Sequence, residues 1–255
     1  MRTFNAYLKK EILEAIRTNK YLILFIGTIF WALMDPLLLK LLPLLLKSSL
    51  PVDMASFLPD FTRDTAFQSF VGNLFEIGTL FFAFTLMGLL ANEITFKKLV
   101  LPYASGAGSA GMVLAKYIHY GTALSIFIFL SFLTNYFYVD QLFPGGILSI
   151  GIVIRSALLY MLYYCVLLAI LLYLSSLFKR SLVAGIVIIV FGYTMSIFNQ
   201  FSNIRQYLPN YLLYKAADIG NVFDNTLIPT IIISLSLVII FIFLTIRRMK
   251  KIDIA

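Results

Sequence analysis

Residues 227–246 read LIPTIIISLSLVIIFIFLTI, twenty positions without a charged side chain, and Arg247, Arg248, Lys250 and Lys251 follow at once. At about 1.5 Å per residue such a stretch rises roughly 30 Å, the thickness of a bilayer's hydrocarbon core. It reads as a membrane-spanning helix with a basic anchor at one end. Working back along the chain, runs of similar character occupy approximately 21–42, 68–91, 117–138, 148–174 and 182–200. None alternates with the period of two that a barrel strand needs, and each is long enough to satisfy its backbone within one helix. The expected fold is therefore all-α: a polytopic integral membrane protein with six transmembrane helices, residues 1–255 forming a single transmembrane domain.

Composition excludes the alternatives. The chain is 61% apolar and 13% charged, whereas a soluble domain carries about 45–50% and about 25%. Many of its 24 Phe, 15 Tyr and single Trp lie near the ends of apolar runs, where interfacial belts place such rings. Cys165 and His119 are each the sole residue of their type, so an internal disulfide is impossible and no metal site built from several Cys and His ligands is expected. The net charge of +8 would suit nucleic acid, but its placement around the spans points to membrane orientation instead. With the N-terminus in the cytoplasm, the inner segments hold 14 basic residues and the outer segments 5. That asymmetry predicts a multi-pass protein of the cell membrane with both termini cytoplasmic.

The ends of the spans carry further expectations. Residues 1–20 form an amphipathic leader, with Phe4, Leu8, Ile12, Ala15 and Ile16 at helical spacing and Lys9, Lys10, Glu14 and Arg17 turned elsewhere. Such a helix lies in the interface plane. Two glutamates precede the first apolar run and no small-x-small site ends it, which argues against a cleaved signal peptide. The uninterrupted part of that run, Tyr21 to Met34, is too short to cross, so the helix must continue through Asp35 and Pro36 with a kink. Residues 43–66 read as an outer loop, and 204–219 as a second amphipathic stretch at the outer surface.

Catalytic patterns lack their context. Gly106 to Gly111 matches GxGxxG, but no strand–helix–strand unit fits between the second and third spans, so it reads as a small-residue turn. No glycine is followed by lysine, so the Walker A device is absent. His119 has no paired nucleophile motif that would suggest an intramembrane protease. The chain is expected to be neither an enzyme nor a holder of cofactors, and to bind no nucleic acid. Asp35, Glu76 and Arg155 are the unusual ionisable residues within spans, each roughly 10–12 Å below the outer surface at about 1.5 Å per residue. Because a lone charge there is costly, the expected arrangement is one cluster in which Arg155 pairs with Glu76 or Asp35. Gly185 and Gly192, seven residues apart on the fifth span, offer one helical face for close approach of another helix, here expected to be a dimer face.

A family resemblance lies in residues 91–116. Ala91-Asn92-Glu93, then Lys97-Lys98-Leu99-Val100-Leu101-Pro102, then Ala115-Lys116 resembles the first intracellular loop of type-2 ATP-binding-cassette (ABC) export permeases. In that family a glutamate leaves the second span, a short helix and a proline follow, and a lysine opens the third span. Lys9-Lys10-Glu11 in the leader, Asp35-Pro36-Leu37-Leu38 closing the first span and Leu42-Pro43 after it are similar too. Many members have Gly-Thr where Lys97-Lys98 stand, and a basic residue near Ser109. The resemblance implies a permease subunit, working as an exporter beside a second permease, identical or homologous. Cytoplasmic ATPase subunits encoded separately would bind ATP and Mg. Glu93, Lys97, Lys98, Pro102 and Lys116 would then form the loop that couples to the ATPase. The alternative is a membrane assembly or regulatory protein without a transport path.

Overall fold

The computed structural model describes residues 2–49, 61–220 and 226–251. Its helices are α1 (Arg2–Arg17), α2 (Lys20–Ser49), α3 (Arg63–Leu86), α4 (Ala91–Thr95), α5 (Val100–Ala104), α6 (Ser109–Leu142), α7 (Ile150–Leu177), α8 (Ser181–Phe198), α9 (Ser202–Arg205), α10 (Tyr211–Ala217) and α11 (Leu227–Lys250). No strand occurs among the described residues. Among the described residues, six stretches are long and apolar enough to span a membrane: Lys20–Pro43, Arg63–Thr95, Ser109–Leu142, Ile150–Leu177, Ser181–Phe198 and Leu227–Lys250. The protein is an all-α polytopic membrane protein. The prolines and aspartates expected in the loop at Pro51, Asp53, Pro59 and Asp60 lie outside the described residues.

Helix α7 is the most buried of the six and packs against α6, α11, α10 and α8, whereas α11 leaves most of its apolar surface open. Tyrosines fasten α7 to α3. The Tyr160 hydroxyl donates to the Val71 carbonyl, and Tyr164 donates to the Leu74 carbonyl at 3.2 Å. Phe132 of α6 meets Phe70 and Tyr160 with ring centroids 5.1 Å away in each case. Tyr120, Tyr160, Tyr211, Phe67, Phe70, Phe82 and Phe132 are among the largest fully buried side chains, so many of the aromatics build the core rather than an interfacial belt.

The end of the bundle that carries α1, α4, α5 and the close of α11 is called basal here, and the opposite end distal. At the distal end Thr62 caps α3 in a reciprocal pair with Thr65, satisfying amides that the helix start leaves bare. Asp64 accepts from the backbone of Ile147 and Leu148 at 3.0–3.1 Å, pinning the α6–α7 connection to α3.

Helix α2 continues through Pro36, as the length of the span requires, but then runs further than expected, through Pro43 to Ser49, taking in residues assigned from sequence to a loop. Pro36 has no N–H, so the Ala32 carbonyl loses its helical donor. Asn135 of α6 supplies one, its Nδ2 lying 3.3 Å from that oxygen. A second difference concerns the second span, which turns at 87–90 between α3 and α4. There Ser175 of α7 accepts from Leu90 N at 3.1 Å and Ala91 N at 2.9 Å and donates to the Met87 carbonyl at 2.9 Å. One buried hydroxyl thus satisfies three backbone groups that the break would strand.

Candidate functional site

The basal end holds a buried ionic cluster assembled from four helices, α1, α2, α4 and α6. Tyr7, Glu11 and Ala15 recur every four residues and form the buried face of α1, which packs on α6. The leader thus buries a line containing a carboxylate, while Ile12 and Ile16 of the apolar stripe stay exposed. Opposite Glu11 stands Lys116, and the two side chains are 0% and 1% exposed. Lys116 Nζ donates to Glu11 Oε1 at 2.6 Å and lies 3.0 Å from Glu93 Oε1. Lys10 also donates to Glu93 and lies 3.3 Å from Glu11 Oε1 and 3.6 Å from Glu14 Oε2. Lys20 closes the set, 3.1 Å from Glu14 Oε1 and 3.4 Å from the Tyr120 hydroxyl.

Glu11, Glu14 and Glu93 bring one oxygen each within 4.8 Å of the others, a spacing a cation could use. The ammonium groups of Lys10, Lys20 and Lys116 take that role, three positive charges against three negative. Burial tends to lower the Lys10 ammonium, but Glu93 and then Glu11 outweigh it and hold it above its usual range. Burial, with Glu93 adding to it, pushes the Tyr7 and Tyr103 hydroxyls up to about 12. Buried ion pairs contribute little net stability but fix geometry, because moving one partner strands the other in a low dielectric. Chemically the cluster is a clamp that sets α1, α4 and α6 in one arrangement.

That clamp carries an exposed knuckle. Helix α4 closes with Lys98 N bonded to the Glu93 carbonyl at 2.9 Å and Lys97 N to Ile94 at 3.1 Å, the paired bonds of a Schellman cap. Lys97 sits at φ +52°, a left-handed position where glycine is the usual occupant. The five residues of α5 follow, with Pro102 in the first turn, where its missing N–H costs nothing. The same cap ends α5: Ala107 N bonds to the Pro102 carbonyl and Gly106 N to that of Tyr103, both at 2.9 Å, with Gly106 at φ +79°. Tyr103 points inward and donates to the Met249 carbonyl of α11 at 3.2 Å. Leu101 and Phe96 point outward, 81% and 66% exposed, beside exposed Lys97 and Lys98. Of the residues singled out from sequence, Glu93 and Lys116 therefore meet, Lys97 and Lys98 face outward, and Pro102 lies within the knuckle. Lys10, Glu11, Glu14 and Lys20 are the members of the cluster that the sequence reading did not single out. The signal for Glu11 was a carboxylate four residues from both Tyr7 and Ala15, on one face of the leader.

The charges within the spans do not form the expected cluster. No ion pair among the described residues joins Arg155 to Asp35 or Glu76. Arg155 Nη2 donates to the Asp218 carbonyl and, at 3.2 Å, to that of Lys215. Ser156 donates to the Ala216 carbonyl at 2.7 Å and Gln68 to that of Ala217 at 3.2 Å. Four successive carbonyls at the end of α10 are thereby satisfied by α7 and α3, and the guanidinium sits at the negative end of that short helix. The second amphipathic stretch accordingly packs into the bundle, with Tyr211, Leu212, Leu213, Lys215 and Ala216 of α10 buried. Glu76 is exposed, and Asp35 is buried against Asn73, which donates to it at 2.8 Å.

Gly185 and Gly192 also differ from expectation. Both are buried, and a Cβ on Gly185 would come within 2.9 Å of Met87 Sδ. On Gly192 it would meet Tyr163 Oη at 3.5 Å and Thr79 Cγ2 at 3.8 Å. The small-residue face lets α8 approach α3 and α7 of its own chain, so it is an internal seam rather than a dimer face.

In comparisons with family models, curated proteins and solved structures, nothing matches this chain.

Proposed function

We propose that this chain is the membrane-spanning permease subunit of an ABC transporter. It works as an exporter, powered by a separate ATPase subunit that binds ATP and Mg, and pairs with a second, identical or homologous permease. In this reading both termini and the basal end face the cytoplasm of a cell, and substrate passes between the two permeases. The observation that carries the proposal is the knuckle at 96–102, which presents Phe96 and Leu101 to water beside Lys97 and Lys98 while Glu93 and Lys116 hold its base. Large apolar side chains held outward on a braced turn are the usual anchors of a protein contact. A base of buried ion pairs would pass a partner's motion to α3 and α6 with little loss.

The test is copurification with candidate ATPases, followed by disulfide crosslinking from cysteines placed at Lys98 and Leu101. Expected are crosslinks at both positions and an ATPase rate that loses its response to transported substrate in Glu93→Gln. A folded chain that retains no ATPase and crosslinks at neither position would overturn the reading and leave the non-transporting assembly role. Reporter fusions after Lys98 and Arg180 should give inside signals and a fusion after Asp140 an outside one.

A further inference from the structure

Helix α2 contains a second polar centre far from the basal clamp. Asp35 is 3% exposed, and its Oδ1 accepts from Asn73 Nδ2 of α3 at 2.8 Å. Its other oxygen, Oδ2, is buried without a hydrogen-bond partner. Asn135 of α6 is fully buried and donates to the Ala32 carbonyl, while its own Oδ1 is buried and unpartnered too. Ala32 and Asp35 are three residues apart and share a face of α2. Helical side chains lean toward the helix N-terminus, which brings the Asp35 carboxyl back to the level of the Ala32 carbonyl, where Asn135 stands. Asp35 Oδ2 and Asn135 Oδ1 are thus two buried acceptors without partners beside one turn of α2.

Among the described side chains, the charged groups nearest along the neighbouring elements do not pair with Asp35. Lys40 of α2 donates to the Leu142 carbonyl at 2.9 Å, Asp140 of α6 is ion-paired with Arg63 of α3, and Glu76 of α3 is exposed. Helix α1 packs at the other end. No ion pair among the described residues includes Asp35. A carboxylate within a bilayer span that has one amide donor and no cation is costly. One proton removes the charge and also gives the second acceptor its donor.

We infer that Asp35 is a proton-binding site: its carboxyl is held as the neutral acid, accepting from Asn73 on one oxygen and donating from the other to Asn135 Oδ1. The proton joins α2, α3 and α6 in a single hydrogen-bonded seam. An asparagine at this position has the same acceptor and donor pattern, so Asp35→Asn should keep wild-type folded yield, whereas Asp35→Leu should lose it.

Infrared spectroscopy of the purified protein tests this directly. At neutral pH the wild type should show a carboxylic-acid carbonyl band that disappears in Asp35→Asn and shifts to higher frequency in Asn135→Leu, where the acid loses its acceptor. Should either variant fail to accumulate, the same band in the wild type must shift on isotopic labelling of aspartate. Because the folded state then holds a proton that the unfolded state releases, thermal stability relative to Asp35→Asn should fall as pH is raised. An ionised carboxylate band only, or a band unaffected by Asn135→Leu, would overturn the assignment. So would a sodium-dependent stability that vanishes in Asp35→Asn, which would replace the proton with a cation.

Discussion

Replacing Lys116 with methionine removes the charge that Glu11 and Glu93 share while keeping an unbranched side chain of similar length. The structure sets the scale. Lys116 and Glu11 are 1% and 0% exposed and 2.6 Å apart, so solvent screening offers no relief. After the substitution both glutamates depend on Lys10, whose side chain is 41% exposed and lies 3.3 Å from Glu11. Removing one partner of a buried pair costs about 3–5 kcal/mol. For a chain of this size that corresponds to a fall in melting temperature of roughly 6–20 °C. Glu11→Gln added to Lys116→Met removes the stranded carboxylate and leaves Glu93 with Lys10, so the double variant should recover about 2 kcal/mol relative to additivity. Thermal unfolding in one detergent, followed by intrinsic fluorescence for both single variants and the double, measures the cycle. Additive losses, or a Lys116→Met protein that melts with the wild type, would refute the reasoning that these charges form one buried clamp.

Three further outcomes follow from other parts of the molecule. Lys97→Gly should stabilise the basal end by about 0.5–1 kcal/mol, because it relieves a left-handed residue without removing a buried contact; a denaturant midpoint at constant slope checks it. Arg155→Met should cost about 3 kcal/mol by stripping the end of α10 of charge-assisted bonds, with faster proteolysis after Lys215 as the readout. Tyr7 and Tyr103, both pushed up to about 12 by burial and then by Glu93, are neutral in the folded state at pH values where an unfolded tyrosine ionises. Their contribution is complete below about pH 10 and is lost as pH rises toward 12. Tyrosinate absorbance compared with the Tyr7→Phe and Tyr103→Phe variants follows it, and Glu93→Gln should move both titrations down.

The spans were legible in the sequence because crossing a bilayer is a local requirement. Twenty apolar residues in a row, as at 227–246, meet it whatever the rest of the chain does. The short helix carrying Pro102 and the flanking Glu93 and Lys116 were singled out by a resemblance that also took in the leader and the end of the first span. What the tertiary structure decided was which side chains face each other. Glu11 and Lys116 are 105 positions apart, Lys10 and Glu93 are 83, and Arg155 reaches carbonyls 60 and 63 residues on. Counting residues along the spans predicted that Arg155 lies level with Asp35 and Glu76, but level is one coordinate of three, and the side chains of Asp35 and Arg155 turn to different partners. Rotation about the α8 axis turned Gly185 and Gly192 inward onto α3 and α7. That α2 must run through Pro36 was legible from span length, but the amide of Asn135 that meets the carbonyl freed there comes from α6, which no inspection of residues 21–42 could supply. Hydropathy fixes where a helix crosses, and packing alone fixes which face it turns.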